Sequence, residues 1–250
     1  MSAMPTHNHT FPQVYGSPGA RSRGLGLLKS LWPIGGILFA MGYLVRVAIP
    51  YPDMPHWVTS LLFVMIAVGI AATTNHAHTK ISNHTKGARG EELAARALSQ
   101  LPSTFTVFHG VILKGGLRDF EGGADIDHVV VTPHALYIIE TKHWQGDITC
   151  EDEQLLQDGY LPNRDPIEQT SNAAKRVKTF LASETLTMPP IIPVLLFTAG
   201  TNVNLPPTLR GVILTDLDHL NEQLMQPQSE SIAPATRQAI IERLARQIEP

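Results

Sequence analysis

The sequence predicts an α/β domain preceded by a two-helix transmembrane hairpin. Two observations carry this prediction. Two long apolar runs, which together contain only one charged residue, Arg46, lie before residue 80. After residue 80, apolar runs typical of buried strands alternate with amphipathic helical segments, which is the pattern of an α/β fold. At 250 residues the chain is long enough for one sizeable domain and an N-terminal addition.

Three segments follow from composition. Residues 1–23 are rich in Pro, Gly, Ser, Thr and His and show no apolar period, so we expect a disordered, mobile tail. Residues 24–79 hold the apolar runs and a polar link to the next segment. Residues 80–250 contain nearly all the carboxylates and form the folded domain, including C-terminal strands and a helix.

The apolar runs cover residues 31–49 and 57–73, and a short Pro-rich turn joins them. A membrane span needs roughly 20 apolar residues, so each run is long enough or nearly so. The second run alone would also fit a buried core helix. Because its neighbour repeats the pattern across a tight turn, two spans in a hairpin fit better. Aromatic residues lie near both ends of the runs, where amphipathic rings prefer the membrane interface.

The placement of basic residues predicts the orientation of the hairpin. Lys and Arg flank the outer ends of both runs, whereas the connecting loop carries Asp53 and no basic residue. The positive-inside rule therefore places both termini and the folded domain in the cytoplasm, with the hairpin in the inner, cytoplasmic membrane. The lipid bilayer is thus one expected partner.

The remaining elements were assigned from residue periodicity. Helical spacing of apolar residues predicts helices at 86–98, 165–181 and 233–248. Apolar or alternating runs predict strands at 104–113, 125–131, 137–142, 146–150, 191–197 and 210–214. Lys175, Arg176 and Lys178 are expected on the solvent side of the second helix, where they either contact a backbone phosphate or form an ordinary solvated face.

The strands 125–131 and 137–142 carry the chemistry. A turn-like Thr132–Pro–His–Ala135 connection predicts a hairpin that brings Asp127 close to Glu140 and Lys142. Strand alternation puts Asp127 on the same face as Val129 and Val131. Two carboxylates beside one ammonium at the edge of an apolar sheet fit a divalent-metal site acting on a phosphodiester. From these residues alone, a structural salt bridge on a solvated strand face is the commoner explanation for such a trio.

Four short motifs in order give the chain a resemblance to a known family. They are Gly87-x-x-Gly90-Glu91, Ile126-Asp127-His128, Ile139-Glu140-Thr141-Lys142-x-Trp144-x-Gly146-x-Ile148, and Asp165-Pro166-x-x-Gln169. Together they resemble the nuclease-related domain (NERD) of the PD-(D/E)xK nuclease superfamily, over residues 86–180. The family often has Asn at the position of Asp165, which is one departure from its pattern.

The resemblance implies a restriction-endonuclease-like mixed sheet flanked by helices. It also implies that Glu91, Asp127, Glu140, Lys142 and Gln169 converge in one catalytic site. Asp127 and Glu140, with Glu91 directly or through water, would ligate Mg²⁺ or Mn²⁺. Lys142 would position the attacking water and offset charge on the phosphate, and Gln169 would orient a phosphate or water. The implied activity is hydrolysis of nucleic acid, with DNA as the expected substrate, and the predicted hairpin would anchor this activity to the membrane.

A second function class competes with this one. From residue 80 onward the chain carries 15 Lys and Arg against 21 Asp and Glu, a net charge of −6. Nucleic-acid binders usually show a basic footprint instead. A catalytically silent, membrane-tethered nucleic-acid-binding or interaction module would keep the fold without turnover. Cys150 is the only cysteine, which excludes a disulfide framework and a thiolate metal site within one chain.

Overall fold

The computed structural model describes residues 11–19, 86–113, 125–182, 188–202, 204–226 and 230–248, with separate positions between 35 and 69. The chain divides into two units. One unit consists of residues 1–19 and 89–250, and the other of residues 20–88. In the second unit, residues 35–37 and 39–43 and several positions from 57 to 69 are helical.

The predicted membrane spans lie for the most part outside the described residues. Within the described part of the chain, no helix combines the length and the apolar character that crossing a bilayer requires. The helical positions that are described between 57 and 69 expose apolar side chains: Trp57, Leu61, Val64, Met65 and Val68.

Seven strands form the main sheet, in the order β1-β2-β3-β4-β7-β10-β9. The pairs β1–β2, β4–β7 and β7–β10 are parallel, and β2–β3, β3–β4 and β10–β9 are antiparallel. The predicted mixed sheet is therefore confirmed. The strands are β1 (Gln13–Tyr15), β2 (Thr106–Ile112), β3 (Asp125–Val131), β4 (Leu136–Lys142), β7 (Ile191–Phe197), β9 (Thr208–Leu209) and β10 (Val212–Asp216).

Helices cover the main sheet and bury two apolar clusters. The helices are α1 (86–98), which enters this unit at Arg89, and α2 (Pro166–Leu181), α3 (Leu220–Met225) and α4 (Pro234–Ala245). The cluster that includes α2 and α4 contains Phe108, Val129, Ile138 and Val177. The cluster that includes α1 and α3 contains Val107, Tyr137 and Ile139. Because successive residues of β4 enter different clusters, the central strands are buried on both faces, as expected for near-continuous apolar runs.

A small sheet follows β4 directly. It has the order β6-β5-β8 and consists of β5 (Asp147–Glu151), β6 (Gln154–Gln157) and β8 (Thr201–Asn202). Ile148 and Leu155 from this sheet share a third buried cluster with Ile167 of α2 and Phe197 of β7. The small sheet thereby packs beside the carboxyl ends of β4 and β7 and helps to fix the N-terminal turn of α2.

Two sequence predictions need correction. Residues 13–15, placed in the mobile tail, form the edge strand β1 beside β2. The alternation predicted for β3 also fails at Asp127 and His128, since Ile126 and Val129, three residues apart, enter the same cluster. On the neighbouring strand β2, Gly110 has a φ of +62° and interrupts the extended backbone at this level.

Candidate active site

The candidate site lies where β3 and β4 separate. The hairpin turn is closed by Thr132, whose N–H donates to the carbonyl of Ala135 at 3.0 Å. Its hydroxyl oxygen also accepts from the N–H groups of His134 and Ala135. Paired residues then run back to His128–Ile139, one residue short of Asp127 and Glu140. Beyond that pair the strands diverge, which leaves room for side chains between their ends.

Asp127 occupies this gap. Its Oδ2 accepts from the backbone N–H of Thr141 at 2.7 Å, in the place of a carbonyl on a continuing strand. Burial, the charge of Glu140 and the charge of Glu91 raise the pKa of Asp127 well above its usual range, in that order of size. The Thr141 N–H and the Lys142 ammonium act in the opposite direction and do not outweigh them. Three carboxylates therefore share one electrostatic environment.

Glu140, Lys142 and Gln169 form a closed triangle of hydrogen bonds. The Lys142 ammonium donates to Glu140 Oε1 at 2.8 Å and to Gln169 Oε1 at 2.9 Å. The side-chain amide of Gln169 donates to the same Glu140 oxygen. Glu140 is 5% exposed, so its charge is desolvated and held by two donors, as a buried carboxylate requires. The remaining side-chain surface of Lys142 and Gln169 opens to solvent.

The start of α2 explains why Gln169 reaches β4. Asp165 caps this helix, because its Oδ1 accepts from the N–H groups of Ile167 and Glu168 at 2.9 and 3.3 Å. Its second oxygen accepts from the guanidinium of Arg210 in the β9–β10 turn. These bonds hold the pKa of Asp165 below its usual range although its partial burial acts to raise it. Gln169 then lies one helical turn beyond the cap, facing Glu140.

A glycine brings Glu91 to the same region. A Cβ atom at Gly90 would lie 2.9 Å from the Thr198 hydroxyl and 3.0 Å from the Cβ of His143, closer than ordinary contact. With no side chain at Gly90, α1 packs directly against residues that follow β4 and β7. Glu91 is half-buried, and its Oε2 accepts from the backbone N–H of Gly19 at 2.9 Å. Gly87, the other glycine of this motif, has nothing within 4 Å of the corresponding position.

A buried histidine pair lies immediately beside Asp127. The Nδ1 atoms of His109 on β2 and His128 on β3 are 2.7 Å apart, and the rings meet edge to face. Burial lowers the pKa of His109 to about 4. Burial and then the charge of His109 lower the pKa of His128 well below its usual value. Both rings are therefore neutral at pH 7, with one Nδ1 donating and the other accepting.

The sequence-predicted site residues are thus found together at one end of β4. Asp127, Glu140 and Lys142 come from the hairpin, Gln169 comes from α2, and Glu91 reaches Asp127 through its charge. The roles predicted for them remain predictions. Sequence reasoning missed the backbone N–H of Gly19, which lies in the supposed tail, and Arg210, which lies outside every motif.

Among the described residues, no group of three or more His, Cys, Asp or Glu side chains is arranged to hold a metal ion. Mg²⁺ characteristically keeps several waters and takes few protein ligands, whereas a structural Zn²⁺ needs four.

Comparison with known proteins gives a family match for part of the chain. Residues 86–198 match the nuclease-related domain family, so this domain extends past Phe180 to include β7 and Thr198. This match suggests a nuclease-like domain over these residues. An uncharacterized protein of Bacillus anthracis is 30% identical over 87 residues, which cover 34% of this chain and 40% of that protein. The alignment therefore spans less than half of this relative. No solved structure matches the chain.

Proposed function

We propose that this protein is a membrane-anchored nuclease that hydrolyses phosphodiester bonds of DNA with the help of a divalent cation. The observation that carries the proposal is the hydrogen-bonded triangle of Glu140, Lys142 and Gln169 beside Asp127. A purely structural ion pair would satisfy Glu140 and Lys142 and would leave Asp127 without a reason to be desolvated next to two further carboxylates.

The donor set suits Mg²⁺ or Mn²⁺. Asp127 and Glu140 each lie one residue beyond the last pair of β3 and β4, which is His128–Ile139. They would hold the cation, with Glu91 acting directly or through water. Both are hard oxygen ligands, and the raised pKa of Asp127 signals negative charge that lacks sufficient compensation. When bound, the cation supplies charge stabilisation at the phosphate and a more acidic water.

Lys142 has the position of an electrostatic and orienting group. It is partly exposed, at 21% of its side-chain surface, and two acceptors fix the direction of its ammonium. A fixed ammonium stabilises negative charge that grows on phosphate oxygens in the transition state without reorganising during the reaction. Gln169, bound to both partners, keeps Lys142 and Glu140 at a constant separation, and its exposed side chain would orient a phosphate or water.

Substrate contacts extend along α2. Lys175, Arg176 and Lys178 are exposed on the same helix that carries Gln169. Exposed basic side chains contact phosphates without reading sequence, and they compensate locally for the net acidic charge of the domain.

Membrane attachment through residues 31–49 and 57–73 has two supports. Residues 11–19 and 89–250 belong to one unit, so the intervening chain leaves this unit and returns to it. A segment that crosses a bilayer between such points crosses it an even number of times, as a two-span hairpin does. Leu61, Val64, Met65 and Val68 follow helical spacing and are each more than half exposed, so this apolar face needs an apolar environment. With basic residues flanking the runs, the domain and both termini are assigned to the cytoplasmic face.

Cleavage assays test the activity. Full-length protein is incubated with labelled DNA and RNA, single- and double-stranded, in Mg²⁺, Mn²⁺ or EDTA, together with Lys142→Met, Lys142→Arg and Glu140→Gln. Lys142→Met keeps most of the stem, and we expect it to lower the turnover rate on the order of 10²–10³-fold with Mn²⁺ affinity nearly unchanged. Lys142→Arg should not restore the rate, since a planar guanidinium presents its donors differently.

Two results would refute the proposed nuclease activity. One is a wild-type protein that cleaves no nucleic acid with any metal, and the other is a Lys142→Met variant as fast as wild type. The net charge of −6 from residue 80 onward favours the second candidate, a silent membrane-tethered binding module. Nucleic acid bound but never cut would establish that module instead.

For the anchor, a reporter active only in the cytoplasm should work when fused after Thr79 or Pro250 and fail at Asp53. A working Asp53 fusion would exclude the hairpin.

A further inference from the structure

The N-terminal segment, residues 11–19, is built into the edge of the main sheet. Strand β1 pairs in parallel with β2, with Tyr15 opposite Phe108. Their rings stack at a centroid distance of 4.9 Å. At Gly16 the backbone approaches β2 so closely that a Cβ atom would lie 2.2 Å from the carbonyl oxygen of His109. Gly16 also has a φ of +82°, which disfavours every other residue. The segment is therefore held in one register on the sheet.

This docking delivers a donor to the candidate site. Gly19 is buried, and its N–H points to Glu91 Oε2 at 2.9 Å. Its φ of +68° is again a conformation that favours glycine. A hydrogen bond from a backbone N–H to a charged carboxylate is shorter and stronger than one between neutral groups. Glu91 directly follows Gly90, which packs against His143 and Thr198 just beyond β4 and β7, so the fixed carboxylate lies at the end of the sheet where the site is.

We propose that Gly19 is a positioning residue for the nuclease site, and that the N-terminal segment is a working part of that site. Strand β1 anchors the segment, Gly16 allows its close approach, and the Gly19 N–H holds Glu91 toward Asp127. The inference rests on the proposed nuclease function for its consequence on rate. The contact itself stands independently of that function, because it is a feature of the folded unit.

The contact also joins two points that are distant in sequence. Gly19 is the last residue of the main unit before residues 20–88, and Arg89 is the first after them. The Gly19–Glu91 bond therefore ties together the exit and the return of the chain, two residues from the return point. The bond thereby holds both ends of this long excursion beside Glu91.

Hydrogen exchange tests the contact without any need for catalysis. Amide exchange of the peptide containing residues 16–19 is compared in full-length wild type, Glu91→Ala and Glu92→Ala. Loss of the acceptor should accelerate exchange about fivefold, as expected for removing one hydrogen bond of about 1 kcal/mol. Glu92→Ala, the neighbouring change on the same helix, should leave this peptide at the wild-type rate. Unchanged exchange in Glu91→Ala would overturn the proposal, whether or not the protein cleaves nucleic acid.

A double-mutant cycle tests the positioning role. Gly16→Val, which must displace the segment from β2, should lower kcat on the order of 10- to 100-fold with little change in KM. In a Glu91→Ala background, the same Gly16→Val change should have almost no further effect, because the residue that the segment positions is already gone. Gly159→Val is the matched control. It has the same unfavourable φ, +77°, with nothing within 4 Å of the new Cβ, so it should keep kcat.

The outcomes separate the two proposals. Multiplicative rate losses from Gly16→Val and Glu91→Ala would mean that the segment only stabilises the fold, and would overturn the positioning role. Equal rate losses in Gly16→Val and Gly159→Val would do the same. A wild-type protein with no activity would remove the nuclease function and the positioning role together, and the exchange experiment would then still decide whether Glu91 holds the segment.

Discussion

The buried histidine pair predicts a specific loss of stability in acid. His109 is 3% exposed, and burial lowers its pKa from 6.5 to about 4. Between these two values the unfolded chain binds a proton that the native protein does not. Stability linked to His109 is therefore present above pH 6.5 and is lost as the pH falls toward 4.

The size of the effect follows from the two pKa values. The full difference of about 2.5 corresponds to about 3 kcal/mol, and by pH 5 about 2 kcal/mol of it is already lost. Such a loss is large, because the whole stability of a domain is about 5–15 kcal/mol. Since His128 is also buried with its pKa lowered, wild type should lose more than the contribution of His109 alone.

The assay compares wild type with His109→Asn. Asparagine retains a donor and an acceptor toward His128 and does not titrate in this range. The free energy of unfolding is measured in urea at pH 7 and pH 5, using Trp144, which packs 5.8 Å from Phe197, after Trp32 and Trp57 are changed to Phe. Wild type should lose about 2 kcal/mol more than the variant between these pH values.

An exposed histidine provides the control for this assay. Asp216 raises the pKa of His219, so that pair stabilises the fold at pH values below the pKa of His219 and the stabilisation is lost as the pH rises through it. His219→Asn should therefore leave the acid-side loss as large as in wild type or larger. An equal pH dependence in wild type and His109→Asn would show that His109 is not a buried neutral residue, and would refute the reasoning.

Three further predictions concern the residues around the site. Asp127→Asn should leave stability without metal unchanged or slightly raised, because a carboxyl with a raised pKa destabilises the fold as the pH rises above its unfolded value; thermal melting in EDTA checks this. Gly90→Ala should lower the free energy of unfolding by about 1–3 kcal/mol, because the new Cβ has no room. Gly87→Ala should be neutral or stabilising by up to about 1 kcal/mol. A destabilising Gly87→Ala would contradict the packing argument. Asp165→Ala should destabilise by about 1 kcal/mol in urea denaturation, and Asp165→Asn and Arg210→Gln by less, since both keep the helix cap; equal losses would mean that the cap contributes nothing.

Much of the fold was predictable because its signals are local. The β3–β4 hairpin follows from two apolar runs and a turn with Thr132 and Pro133 at its start. Helix α2 follows from Asp165, Pro166 and a stripe of apolar residues. All residues of this stripe except Phe180 are buried: Ile167, Ala173, Ala174, Val177 and Leu181. Phe180 is the exception, since it is half-buried under the guanidinium of Arg243.

The missed elements depend on contacts between distant segments. Gln13–Val14–Tyr15 is a three-residue strand inside a Pro- and Gly-rich stretch, and its partner β2 lies about ninety residues away. Its stabilising contact, the stack of Tyr15 on Phe108, leaves no periodic signal in the sequence. Arg210 is similar, because a single basic residue in a turn does not reveal that its partner is a helix cap 45 positions earlier.

The site residues show the same division. Glu140 and Lys142 are two positions apart on one strand, so their ion pair is implied by spacing alone. Gln169 and Glu91 arrive from two different helices, and only the resemblance of four ordered motifs anticipated them. These motifs have a physical basis. Gly90 permits close packing of α1, and the Asp165 cap fixes the start of α2.

Charge balance connects these features to function. The triangle gives Glu140 a counter-charge in Lys142, but the same ammonium does not outweigh the effects of burial, Glu140 and Glu91 on Asp127. The protein therefore keeps a carboxyl in a state that favours a proton, at the point where the two strands separate. A group that serves only folding gains nothing from this arrangement, whereas a group that exchanges a proton for a cation does. Because Glu91 contributes to this imbalance, the positioning role proposed for Gly19 predicts that loss of the Gly19 contact weakens the preference of the site for a positive charge.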